Sequence, residues 1–203
     1  MKTITLITLF VGALAFITNA YASVSGNLGV ATDYIWRGQS QNTDSNDDPS
    51  QQVFVNGGVD YAGEGYYAGA WIGSLDGSTE VNYYAGTDIN GFDVGIIKYE
   101  FSKPGTDNDS TEAYVGYSIQ GFDLSYAQDL DESKNEFFSV SYALPTIIEG
   151  ISSVLTYGDV SKKASADDYD YLQLDISYGD LTISLVDEDS VGTTTALSYG
   201  WAL

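Results

Sequence analysis

Arg37 is the only arginine in a chain of 203 residues, and Asp33 stands four positions before it. An arginine among carboxylates can line a constriction or hold a substrate anion; the same group can equally brace a wall through a salt bridge, with Asp60 as its partner. Asp60, Asp88, Asp93, Asp123 and Asp175 all fall on the inward face of alternating segments. As a set they give an enclosed lumen a negative field, which favours cations and rejects anions. The bland reading is that some of them, Asp88, Asp93 and Asp123 above all, adjoin short turns and only end a greasy band in water.

Little else here does chemistry. The chain has no His and no Cys, which removes the Ser–His base, the thiol nucleophile and the commonest metal ligand. No catalytic residue, cofactor or metal site is assigned. The acidic runs Asp44–Asp48, Asp107–Asp109 and Asp129–Glu132 are rich in oxygen ligands, but none has the ligand spacing, glycine and closing glutamate of an EF-hand loop. They read as solvated external loops, which divalent ions could bridge to lipopolysaccharide.

The elements that carry these residues are short segments with a period of two, joined by connections that alternate in length. The longer ones are Ser40–Ser50, Ser74–Ser78, Lys103–Ser110, Asp129–Asn135, Asp159–Asp168 and Asp187–Gly192. The shorter ones centre on Gly63–Gly65, Asn90–Gly91, Gln120–Gly121 and Gly179–Asp180, with Pro145–Gly150 as a longer exception. A soluble sandwich has no reason to gather its long loops at one end, whereas an outer-membrane barrel has short periplasmic turns and longer external loops. The expected fold is all-β: a closed antiparallel transmembrane β-barrel of about 12 strands, an even number that returns both ends to one side.

The final strand carries the pattern most clearly. Thr195, Leu197, Tyr199, Trp201 and Leu203 share one face and Ala196, Ser198, Gly200 and Ala202 the other, which describes a wall greasy outside and open within. Similar alternation sets Val53, Val55, Val59 and Tyr61 against Asn56, Gly58 and Asp60, and Ala113, Val115, Tyr117 and Ile119 against Tyr114, Gly116 and Ser118. The first strand is expected over Val24–Gln39, with Asp33 and Arg37 on its lumen face. One segment resists. Continuing the alternation from Phe92 places Lys98 in lipid, at a cost of roughly 2–4 kcal/mol at mid-height. A bulge near Gly95 would instead send Lys98 and Glu100 inward. Trp36, Trp71 and Trp201, with Tyr66, Tyr67, Tyr84 and several other tyrosines, are expected in two interfacial girdles.

Lys2, the apolar run Ile4–Ile17 and Ala20-Tyr21-Ala22 read as a secretory signal peptide over Met1–Ala22, with the barrel domain over 23–203. The chain carries 29 Asp and Glu against 7 Lys and Arg, a net charge of −22 that repels nucleic acid.

Asn27–Gln41 reads NLGVATDYIWRGQSQ, and further on Gly57–Tyr61 and Gly65–Trp71 read GGVDY and GYYAGAW. These blocks, with EAYVGYS at Glu112–Ser118, YALP at Tyr142–Pro145 and DYDY at Asp168–Tyr171, resemble the TorF porin family, also catalogued as Gcw_chp proteins of unknown function. Departures are the terminal Leu203 where Phe is usual and the Lys-Pro-Gly opening of the third external loop. The resemblance implies an outer-membrane protein, assembled by the barrel-insertion machinery, that acts as a channel; it carries no catalytic residues and no named solute. The residues expected to line the lumen and set selectivity are Asp33, Arg37, Asp60, Lys98, Glu100 and Asp175. A non-conducting barrel that displays acidic loops is the alternative.

Overall fold

A computed structural model describes residues 22–41, 53–102, 109–131, 133–163 and 168–203. The expected leader, apart from its last residue, lies outside the described residues, as do the acidic run Asp44–Asp48, Asp107, Asn108 and Glu132.

The chain is built from β1 (Ser23–Ala31), the two short strands β2 (Ile35–Trp36) and β3 (Gln39–Ser40), then β4 (Phe54–Ala62), β5 (Tyr66–Leu75), β6 (Ser78–Ile89), β7 (Phe92–Phe101) and β8 (Ser110–Ile119). After these come β9 (Phe122–Asp129), β10 (Glu136–Ala143), β11 (Ile151–Ser161), β12 (Tyr169–Tyr178), β13 (Leu181–Glu188) and β14 (Gly192–Ala202). All but β2 and β3 form one closed barrel in which each strand pairs with its sequence neighbour and β1 pairs antiparallel with β14. That gives 12 wall strands, the number expected from the sequence. Closure leaves no strand edge unpaired.

Alternating side chains sort cleanly between the two faces. On β14, Leu197, Tyr199 and Trp201 point out and Ala196 and Ser198 are buried within. Val55 and Val59 of β4 and Leu172 of β12 are also outward and about half exposed. An aromatic girdle rings the end that holds the Asn90–Gly91 and Gln120–Gly121 turns: Tyr61 pairs with Tyr66, Phe92 with Tyr117, Phe122 with Tyr142, and Tyr199 with Trp201. Stacking explains the pairing, because these residues sit side by side on adjacent strands or successive outward positions.

Three expectations about the strands are corrected. Two connections expected to be long are tight: β5 and β6 are joined by Asp76 and Gly77 alone, and β13 and β14 by residues 189–191. β7 has no bulge. It pairs in regular register with β6 along its whole length, Gly86 opposite Gly95 and Tyr83 opposite Lys98. Lys98 and Glu100 therefore face outward and bond each other at 2.5 Å. Tyr99 holds that register from inside, buried against Trp36 with its hydroxyl on Glu112. Lys98 also lies near the end of β7, where a long side chain can carry its charge out of the apolar belt. Finally, the first strand does not run to Gln39. It ends at Ala31, and the chain then leaves the wall.

Candidate functional site

Beyond Ala31 the chain turns inside the barrel. β2 and β3 pair only with each other, Ile35 opposite Ser40 and Trp36 opposite Gln39, around a turn at Arg37 and Gly38. Both turn residues have positive φ, 49° and 85°, the backbone of a two-residue hairpin turn, and the Asn90–Gly91 and Gln120–Gly121 turns repeat it. The result is a small hairpin that projects into the lumen at the end opposite the aromatic girdle.

Its two faces are wedged between opposite parts of the wall. Tyr34 stacks on Phe54 of β4 with ring centres 4.6 Å apart and leans on Trp71 of β5. Trp36 meets Tyr99 of β7 edge-on. On the other side Ile35 packs against the cluster of Val160, Tyr169, Tyr171 and Val186 from β11, β12 and β13. The tip also meets the wall at β12: Gly38 lies against the Tyr171 ring so closely that a side chain there would collide with it.

Arg37 is the anchor. Its two terminal nitrogens donate to the two carboxylate oxygens of Glu112 on β8, each at 2.8 Å. Its guanidinium lies 3.3 Å from the centre of the Phe137 ring and 4.5 Å from that of Trp36. Both side chains of the pair are over nine-tenths buried. Burial works against the guanidinium charge, but the Glu112 hydrogen bonds and charge outweigh it and raise the Arg37 pKa. This planar, doubly bonded and ring-stacked geometry is one that lysine cannot reproduce. Asp33 takes the Ser40 hydroxyl at 2.7 Å and so closes the base of the hairpin; burial pushes its carboxyl up, and the Ser40 bond pulls it part of the way back.

The expected partners thus change. Asp33 and Arg37 do not share a strand face, because the first strand stops before either. Arg37 pairs with Glu112, across the lumen, and Asp60 accepts the Tyr84 hydroxyl instead. Asp175 faces inward and is held by Gln173 and Ser184 at 3.0 and 2.6 Å. Asp93 faces inward and accepts Tyr67 at 2.6 Å. Lys98 and Glu100 leave the site altogether. Trp36, Trp71, Tyr67 and Tyr84 are inside the barrel and not in a girdle.

Inward tyrosines do not simply obstruct the passage. Tyr84 lies over Gly69 of β5 to reach Asp60 on β4, and Tyr67 lies over Gly86 of β6 to reach Asp93 on β7. Tyr114 likewise covers Gly95. A side chain at any of these glycines would overlap the ring, so each glycine seats an aromatic flat against the wall. Opposite them the lining is short hydroxyls: Ser141 with Thr156 and Ser177 with Thr182, each pair bonded at 2.8 Å.

Glu112 and Tyr171 stand in two of the blocks that carry the family resemblance, Glu112–Ser118 and Asp168–Tyr171, but nothing in the sequence singles out either of them or Tyr99 for this role, since a glutamate or tyrosine on a strand gives no hint of a partner far along the chain. The acidic loop Asp129–Asp131 is also spoken for: Asp129 accepts the Asp131 amide at 2.7 Å and the Ser133 hydroxyl. Among the described residues no cluster of three or more acidic side chains is arranged to hold a metal ion.

A closed, even-stranded barrel with an apolar outer belt and a polar lining is a transmembrane β-barrel. The sequence model of the family described as "Bacterial protein of unknown function (Gcw_chp)" matches residues 18–185, and the chain belongs to that family. No curated protein matches the sequence. Among solved structures, the fold is similar to a chain from a study of in-meso crystallisation of membrane proteins, with a TM-score of 0.52 at 10% identity, over 88% of this chain and 83% of that one. OccK11 (OpdR) of Pseudomonas aeruginosa matches at a TM-score of 0.42 and 13% identity, over 90% of this chain and 67% of its own. OccAB3 of Acinetobacter baumannii matches at 0.41 and 15%, over 86% and 60%.

Proposed function

We propose that the chain is an outer-membrane channel of the porin type, as the TorF resemblance implies, for passive passage of small solutes with a preference for cations. The carrying observation is the lining beneath the hairpin: Asp60, Asp93 and Asp175 with short hydroxyls, inside a wall that is apolar outside. Arg37 is the only arginine, and Glu112 neutralises it, so the remaining inward carboxylates set the sign of the field. The leader over Met1–Ala22 directs export and is cleaved off, and insertion follows recognition by the barrel assembly machinery. At the surface, divalent ions join acidic loops to lipopolysaccharide.

One observation favours a second reading. The hairpin packs against opposite sides of the barrel at one end, as a structural brace would. Liposome swelling separates the two: refolded protein should admit small sugars and amino acids if it is a channel, and leave the vesicles as tight as protein-free ones if it is only a brace.

A further inference from the structure

We infer that the Ile35–Ser40 hairpin is a resident plug latched by Arg37 and Glu112, and that it, more than the strand wall, limits the size of what passes; this rests on the channel reading above. The hairpin springs from β1, and its tip engages β8 and β10 on the far side through Glu112 and Phe137, and β12, part of the way round, through Tyr171. It therefore crosses the lumen. Lower down, tyrosine rings are flattened onto glycines of the wall, which leaves the hairpin as the element that stands across the lumen.

Every wall strand shares a hydrogen-bonded ladder with two neighbours, while β2 and β3 share one only with each other. Among the described residues, the backbone link to the wall at this point is at Thr32, whose N–H donates to Leu197. From Asp33 to Ser40 the attachment is by side chains. The hairpin can shift as a unit without breaking a barrel ladder, and the doubly bonded Arg37–Glu112 pair is the contact that fixes its tip. Arg37 takes the left-handed backbone of its turn, as Gln120 does in another, and from that position its side chain reaches Glu112 on β8.

The test uses the full chain refolded into bilayers and liposomes, comparing wild type with Arg37→Asn and Glu112→Gln. Asparagine tolerates the left-handed turn and glutamine keeps the shape of the glutamate, so both variants retain the hairpin but lose the charged latch. Heat-sensitive gel mobility reports that the barrel has formed. The plug predicts a rise in single-channel conductance of about twofold or more, and swelling with sugars that wild type excludes. Wild-type conductance and size limit in both folded variants would overturn the plug while leaving the channel reading in place. Silence from wild type and every variant would overturn the channel reading and the plug with it.

Discussion

Arg37 and Glu112, 75 residues apart in sequence, meet inside the barrel through two parallel 2.8 Å hydrogen bonds. The pair is sheltered by Trp36, Phe137 and Tyr99. Its energetics follow from burial. Replacing one partner strands the other's charge in a water-poor site, whereas replacing both removes the problem.

Arg37→Ala and Glu112→Ala should therefore each destabilise the folded barrel by about 3–5 kcal/mol. The double variant should lose no more than either single one, and so fall well short of their sum, because it leaves no charge stranded. Urea titration of the protein in liposomes measures all three. Additive losses would mean that the pair contributes no coupling.

The seated tyrosines make a steric prediction. Gly158 on β11 lies directly under the Tyr171 ring, so Gly158→Ala must displace that ring or the strand, at about 1–3 kcal/mol. Gly116 has no neighbour closer than 3.7 Å to a Cβ built there, and Gly116→Ala should show no measurable loss in the same titration. Equal effects at the two glycines would contradict the seating.

Facing can be read with light. Trp201 is outward and 44% exposed, while Trp71 is 5% exposed inside the barrel. In single-tryptophan variants, lipids brominated along their acyl chains should quench Trp201 strongly and Trp71 hardly at all. Quenching of Trp71 would mean that β5 is assigned to the wrong register, since a slip of one residue exchanges the two faces.

The range of each interaction decides how much of it is legible in the sequence. The alternation on β14 and β4 is local and clean, so the barrel, its strand number and the direction of Trp201 can be read there. The hairpin cannot, because Tyr34 and Trp36 continue an alternating pattern past the point where the wall ends. A signal is present nonetheless: a strand over Val24–Gln39 is longer than the roughly 9–11 residues that a tilted strand needs to cross, and Arg37-Gly38 resembles the hairpin turns elsewhere in the chain. In β7 both Ile96 and Ile97 are apolar, so alternation alone does not fix the face of Lys98; contact of Tyr99 with Trp36 and Glu112 from distant elements decides it. Arg37 and Glu112 each stand in a block that carries the family resemblance, but nothing local to either names the other as its partner.

Because Lys98 and Glu100 are outside the lumen and bonded to each other, they should not influence permeation. Lys98→Gln should leave the reversal potential in a salt gradient where wild type has it. Arg37→Ala should shift it further toward cations, since it removes the positive group from the lumen. A shift caused by Lys98→Gln would place that residue back within the field of the pore.

Planar-bilayer recording of the refolded chain across a salt gradient bears most directly on the channel itself. Discrete conductance steps are expected, with a reversal potential of cation-selective sign. That preference should be clear at modest salt and fade toward 1 M, where the screening length is only about 3 Å. A correctly folded barrel that inserts and gives no steps, for wild type and for Arg37→Ala alike, would contradict the channel; steps with an anion-selective reversal potential would contradict the carboxylate-lined lumen as the source of selectivity.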